Sequence, residues 1–244
     1  MNNSKYSPEE ILQILNDFYN YQAVFDPEVG SGESLSFDTT ISEWKSLCDL
    51  KEPKVLAEYY SELFGLTNSY SDLQEVLSNK NKLKGFCDYI SEYAVKQNIS
   101  SIKIMGETCM TASIFKTLMT NLKLRGIETQ NIRPSSEFRP LFYEHGAVFL
   151  EEVNKLAPGS LSKFEYRENW IVKLGLSIIV LSVLSIFIVS MIWHFHWTLM
   201  IALISGIIIS IIGNKFKPAK ENIGGYDTMR ELIVGMQYRI EKAI

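Results

Sequence analysis

Two long uncharged apolar stretches near the C-terminus constrain the fold of this chain more than any other feature. The first covers residues 174–193 and the second residues 197–213. At a rise of about 1.5 Å per residue, a helix of about 20 residues spans the roughly 30 Å hydrocarbon core of a bilayer. The sequence therefore predicts a transmembrane hairpin over residues 169–214. A buried helical hairpin in a globular core is the alternative.

Basic residues flank this hairpin but are absent from its connecting turn. Arg167 and Lys173 lie beside the first stretch, and Lys215, Lys217 and Lys220 follow the second. Cationic flanks stay on the cytoplasmic side of a membrane. We therefore expect a multi-pass protein of the bacterial inner membrane, with the lipid bilayer as one partner and both termini in the cytoplasm.

Small residues recur every four positions in the second stretch, at Thr198, Ala202, Gly206 and Ser210. Such a face lets two helices approach closely. It can pack against the first helix of the same hairpin, because consecutive elements with short links usually pack together. It can also join two chains, and a homo-oligomer formed through the hairpin is this second alternative.

The remainder of the chain is acidic. Residues 1–168 carry 17 basic and 24 acidic side chains. Phosphates would be repelled by such a surface, so nucleic acid is not expected as a partner. The three cysteines, Cys48, Cys87 and Cys109, have neither the number nor the spacing of a disulfide framework or metal site, which predicts reduced thiols.

The first part of the chain has the signals of four helices within residues 1–97. Ser7 and Glu10 form a capping box around Pro8 and open the first helix. A long polar connection is predicted over residues 26–42. Helical spacing of apolar residues then predicts a helix after Pro53, a short helix from Ser71 and a last one carrying residues 83–94.

This order of elements resembles an acyl carrier protein over residues 7–96. The segment "LAEYYSELFGL" is similar to the part of a carrier that follows its attachment site. The segment "KLKGFCDYISEYA", residues 82–94, resembles the last carrier helix. The resemblance implies a four-helix bundle that carries phosphopantetheine on the serine of an Asp-Ser-Leu triplet.

The corresponding triplet here is Asp49-Leu50-Lys51, and leucine has no hydroxyl to modify. Ser46 lies four residues earlier, a full helical turn out of register. We therefore expect a carrier-like bundle without a cofactor. The resemblance implies partner docking at the start of the helix that follows, and the contact candidates are Asp49, Lys51, Glu52, Lys54, Glu58 and Tyr59.

Residues 98–168 predict a small α or α/β module, with a short strand at 101–105 and a helix from about Thr108 to Leu122. The run "VFLEEVNKLAPGSL" is similar to a group of uncharacterised bacterial membrane-associated proteins. Residues 215–244 predict a cytoplasmic linker and an amphipathic helix that docks on the first domain, the membrane or a partner.

The candidate nucleophiles are Cys109, Ser135 and Ser136, and His145 is the conventional base outside the hairpin. No nucleophile elbow or glycine-rich oxyanion turn surrounds them. His194 and His196 are too few for a metal site. Glu151 and Glu152 are predicted to be ordinary solvated carboxylates on different helix faces.

The sequence therefore predicts a mainly α protein, with helical cytoplasmic domains and a C-terminal transmembrane hairpin. Its expected function is non-enzymatic, namely binding or sensing of a cytoplasmic protein partner. The alternatives are a defence or stress effector whose hairpin oligomerises when a ligand binds, and a hydrolase that uses His145.

Overall fold

The computed structural model describes residues 4–26, 29, 34–50, 52–67, 70–167, 170–192, 197–213 and 220–242. The chain is mainly helical and forms two compact units. The first unit comprises residues 1–164 and 223–244, and the second comprises residues 165–222.

Ten helices and four short strands occur in the described residues. The helices are α1 (Pro8–Phe25), α2 (Ile41–Leu47), α3 (Pro53–Phe64), α4 (Tyr70–Val76), α5 (Leu83–Tyr93), α6 (Met110–Leu124), α7 (Arg139–Leu156), α8 (Trp170–Ile192), α9 (Trp197–Gly213) and α10 (Met229–Lys242). The strands are β1 (Lys103–Ile104), β2 (Glu107–Thr108), β3 (Phe164–Arg167) and β4 (Lys220–Ile223), paired as β1–β2 and β3–β4.

Helices α1 to α5 enclose the first hydrophobic core of the first unit. The predicted capping box is present at the start of α1, where Ser7 Oγ accepts from the Glu10 N–H and the Glu10 carboxylate accepts from the Ser7 N–H. One face of α1 buries Ile11, Ile14 and Leu15 in this core. The apolar spacing of α1 therefore predicted its buried face.

The structure has five helices in this region rather than the four predicted. The additional helix is α2, which begins inside the segment interpreted as a long connection. Thr40 and Glu43 form its capping box, with the Thr40 hydroxyl accepting from the Glu43 N–H at 3.1 Å. The Thr-x-x-Glu spacing is a local helix-start signal. The Gly, Ser and Asp residues before it indicate a loop, and the prediction followed them instead.

Helices α6, α7 and α10 surround a second core in the same unit. The apolar face of α10 packs on α6 and α7, so the C-terminal helix docks within the first unit.

Helix α7 is kinked at His145, whose φ is −134° and ψ is 31°. Gly146 follows the kink, and a methyl group built on it would lie 2.6 Å from the Tyr21 hydroxyl, so the Tyr21 ring of α1 packs directly on this glycine.

Helix α1 contributes to both cores. Ile14 and Leu15 belong to the first, Tyr21 and Val24 pack against the second, and Phe18 packs against both. Residues 1–97 and 98–168, predicted as separate modules, therefore share one helix and lie in one compact unit.

In the second unit, α8 and α9 pack antiparallel along their lengths. A methyl group built on Gly175 would lie 2.6 Å from the Ser210 nitrogen, and one on Gly206 would lie 2.9 Å from Ile179 Cγ1. Glycine is therefore required where these two helices cross. The outward faces expose apolar side chains, including Leu181 and Ile201.

The transmembrane prediction is wrong. Among the residues that the structure describes, no helix is both long enough and apolar enough to cross a membrane. Helix α9 has 17 residues, which corresponds to about 25 Å and falls short of a hydrocarbon core of about 30 Å. The structure therefore does not support the hairpin anchor predicted over 174–193 and 197–213. It does not support the predicted multi-pass location in a bacterial inner membrane either.

Candidate partner-binding pocket

The α2–α3 junction is built from one unusual turn. Helix α2 ends at Cys48, and the Leu50 N–H then donates to the Lys45 carbonyl at 2.9 Å. This bond closes a turn of the Schellman type, which needs a left-handed residue before Leu50. That residue is Asp49, with φ +46°. The turn reverses the chain and leads it towards Pro53, the first residue of α3.

A pocket of about 340 Å³ lies between this turn, α1 and α3, and we call it the α3 pocket. Aliphatic and aromatic side chains from all three elements line it, with a few polar groups among them. The lining residues are Leu15, Phe18, Tyr19, Gln22, Trp44, Cys48, Asp49, Leu50, Val55, Leu56, Tyr59 and Tyr60. Its volume is at the lower end for a ligand site and has room for one or two apolar side chains.

Aromatic rings that meet at tilted and edge-to-face angles form one wall of the α3 pocket. Trp44 is buried, and its ring centroid lies 5.7 Å from those of Tyr60 and Phe86. The Tyr59 and Tyr60 rings meet edge to face at 5.0 Å. Such aromatic pairs hold a fixed geometry and contribute beyond the area they bury.

The thiol and phenols of the pocket are not reactive groups. Burial raises the pKa of the Cys48 thiol to about 12, so it stays protonated at neutral pH. Burial also raises the pKa values of Tyr59 and Tyr60 well above their usual range. The α3 pocket is therefore suited to binding rather than to nucleophilic chemistry.

Three acidic side chains are exposed on or beside the pocket lining. Asp49 lines the pocket, and Glu52 and Glu58, with Lys54, are exposed on the adjoining part of the chain. In the described part of the chain, the Asp49 carboxylate has neither a hydrogen bond nor a salt bridge. It also lies at the C-terminal end of α2, where the helix dipole disfavours an anion.

The contact candidates named from the sequence fall in or beside this pocket, with one exception. Asp49 and Tyr59 line it, and Glu52, Lys54 and Glu58 lie exposed on the adjoining part of the chain. Lys51 lies outside the described residues. Leu50, the middle residue of the Asp49-Leu50-Lys51 triplet, is half-buried against the first core.

Tyr59 has a second role that the sequence did not indicate. Its hydroxyl donates to Glu151 at 2.8 Å, and Arg125 donates to the other oxygen of that carboxylate at 2.7 Å. The neighbouring Glu152 accepts from Lys155 at 2.8 Å. Both glutamates are buried, so the prediction of ordinary solvated carboxylates is wrong. The partners of Glu151 come from α3 and from the end of α6, which no local pattern in α7 reveals, whereas Lys155 lies in α7 itself.

The candidate catalytic residues are not brought together by any hydrogen bond in the described residues. Cys109 precedes α6, and a hydrogen bond with the Thr111 hydroxyl, together with the Ala112 N–H, lowers the pKa of its thiol. Ser136 Oγ accepts a hydrogen bond from the Arg133 N–H. His145 Nε2 lies 3.6 Å from Glu144 Oε1. Ser135 is exposed.

The small-residue face of α9 lies partly against α8. Gly206 and the Ser210 backbone approach Gly175 there, and Ala202 is half-buried. The Thr198 side chain lies outside the described residues. His194 and His196 also lie outside them, and the described part of the chain holds no group of three metal-binding side chains.

No protein-family model, curated protein or solved structure matches this chain.

Proposed function

We propose that this chain is a non-enzymatic binding protein whose α3 pocket holds an apolar side chain of a protein partner. Basic residues of the partner beside that apolar anchor would pair with Asp49, Glu52 and Glu58. Three features support this proposal: the size of the pocket, its aromatic wall, and the exposed carboxylates of Asp49, Glu52 and Glu58. Interfaces commonly place one anchor in a desolvated pocket and surround it with polar groups.

The proposal rests mainly on Asp49, which has a left-handed backbone and a carboxylate without a partner in the described residues. A left-handed backbone costs a non-glycine residue about 1 kcal/mol or more. The helix dipole of α2 adds to that cost, and no neighbouring group in the described residues offsets it. Strained residues of this kind occur often at binding sites. A partner cation that pairs with the Asp49 carboxylate would offset this cost.

We also propose that the first five helices are carrier-like in arrangement but carry no prosthetic group. In this interpretation α3 corresponds to the docking helix of the carrier family, and Leu50 takes the place of the modified serine. Intact-mass spectrometry of the purified protein tests it. We expect the mass of the unmodified chain, and a phosphopantetheine adduct would refute the proposal.

A peptide-display selection tests partner binding directly. Short random peptides are selected on the wild-type chain and sequenced. We expect enrichment of one bulky apolar residue next to Lys or Arg. The selected peptide should bind Asp49→Lys at least about tenfold more weakly, the loss expected for one charge-assisted contact.

The matched control is Asp72→Lys, which reverses an exposed carboxylate on α4, outside the pocket lining. It should bind the peptide as the wild type does. Selection of peptides without an apolar–basic pattern, or equal losses in both variants, would contradict the proposed function.

A further inference from the structure

A second, larger cavity lies in the first unit, away from the α3 pocket. Its volume is about 1050 Å³. Its walls come from the chain before α1, the first half of α1, residues 96–101, the start of α6, residues 156–158 and the end of α10. Segments distant in sequence therefore converge on it, which is typical of a ligand site.

The charge of this cavity is opposite to that of the protein. The chain has a formal net charge of −4, whereas four basic and two acidic side chains line the cavity. These are Lys5, Lys96, Arg239 and Lys242 against Glu9 and Glu10. Clefts lined by one sign of charge concentrate ligands of the opposite sign.

Two of these cations remain available to a ligand. Lys96 donates to Glu10 at 2.5 Å, and Lys5 donates to the Glu92 carbonyl at 2.6 Å. In the described residues, Arg239 and Lys242 have no hydrogen bond to a carboxylate. They are three residues apart on the last turn of α10, so they lie on the same side of the helix.

A buried polar group fixes the wall beside Arg239. The Asp17 carboxylate is fully buried and accepts from Gln13 Nε2 at 2.8 Å and from the Gly159 N–H at 3.0 Å. A methyl group built on Gly159 would lie 2.9 Å from Gln13 Cγ and 3.3 Å from Arg239 Nη1. Gln13 and Arg239 therefore close over this turn, and both line the cavity. The positive charge of Arg239 lowers the pKa of Asp17, against the larger raising effect of burial, so the two groups lie near each other.

We propose that this cavity binds a small phosphorylated molecule, with Arg239 and Lys242 holding its phosphate. A guanidinium presents two parallel donors that match phosphate oxygens, and an ammonium adds a point charge. The cavity is much larger than an inorganic phosphate. Hydroxyl and amide side chains such as Ser101 and Gln97, together with Ile99 and Met110, line the space for a body of mixed polarity.

Calorimetric titration of the full chain tests this site independently of partner binding. The probes are pyrophosphate, AMP and glucose 6-phosphate, with adenosine and glucose as phosphate-free controls. We expect at least one phosphorylated probe to bind with a dissociation constant below about 1 mM. Its phosphate-free counterpart should bind at least about tenfold more weakly, because it lacks the charge-assisted hydrogen bonds.

Arg239→Gln and Lys242→Gln should each weaken that binding about tenfold. Lys242 is exposed at the end of α10, so its variant keeps the test valid if Arg239→Gln lowers stability. Arg230→Gln is the matched control, since Arg230 is exposed on the opposite face of the same helix. Failure of all three phosphorylated probes to bind, or equal binding by Lys242→Gln and Arg230→Gln, would overturn the assignment.

Discussion

At the residue scale, Asp49 has a backbone conformation that glycine adopts without strain. Its φ of +46° lies in the left-handed region, and its charge lies at the wrong end of α2. We therefore expect Asp49→Gly to raise the free energy of unfolding by about 1 kcal/mol. Urea denaturation measures this change.

Asp49→Asn separates the two contributions, because asparagine tolerates the left-handed region but removes the charge. It should raise the free energy of unfolding by less than the glycine variant does. If Asp49→Gly lowered the stability, the carboxylate would be part of a stabilising contact and the binding argument would lose its main support.

Asp17 should make the stability of the first unit depend on pH. Burial raises its pKa from 3.8 to about 7, against the lowering effect of Gln13, the Gly159 N–H, Arg239 and Asn154. Between these values the folded chain binds more protons at this site than the unfolded chain does. The contribution of Asp17 to stability therefore falls as pH rises from about 4 to 7 and is lowest above 7.

Asp17→Asn removes this titration. The difference in unfolding free energy between variant and wild type should move in favour of the variant as pH rises from 5 to 8. The slope is limited to about 1.4 kcal/mol per pH unit. Urea denaturation at several pH values measures it. A difference that does not change with pH would show that Asp17 titrates normally.

At the element scale, helix starts were predicted better than tertiary partners. The capping box at Ser7 and the apolar spacing of α1 are local signals, and the structure has both. Asp49, Tyr59 and their neighbours were named from the resemblance to a carrier docking helix, and their role in partner contact stays a prediction. The α3 pocket could not be foreseen, since its opposite wall comes from α1. Glu151 was misjudged for the same reason, because its partners lie on other elements.

The hydrogen bond from Tyr59 to Glu151 joins α3 to α7 and can be tested by deletion. Tyr59→Phe leaves the buried carboxylate with one donor fewer and should lower the free energy of unfolding by about 1–2 kcal/mol. Tyr93→Phe is the control, because Tyr93 is an exposed residue of α5. Denaturation of both variants measures the effect. Equal, negligible losses would mean that the Tyr59 hydroxyl contributes nothing to this contact.

At the scale of the whole molecule, sequence periodicity alone did not reveal how the helices combine. Helix α1 packs against both cores, with Phe18 in contact with each, and α10 returns from the end of the chain to complete the second. Both arrangements depend on contacts between residues far apart in sequence. The hairpin prediction was wrong for a different reason. It relied on apolar composition, but no helix in the described residues has both the length and the apolarity of a membrane span.

Blocking the α3 pocket should prevent a partner from inserting its apolar side chain. Val55 lies exposed at the pocket lining, and Val55→Trp fills the opening from the first turn of α3. Val234→Trp places the same side chain at an exposed site on α10. The measurement is the dissociation constant of a display-selected peptide by fluorescence anisotropy. We predict a weakening of at least about tenfold for Val55→Trp and no change for Val234→Trp. Equal affinity for both variants would contradict the claim that the α3 pocket holds the partner.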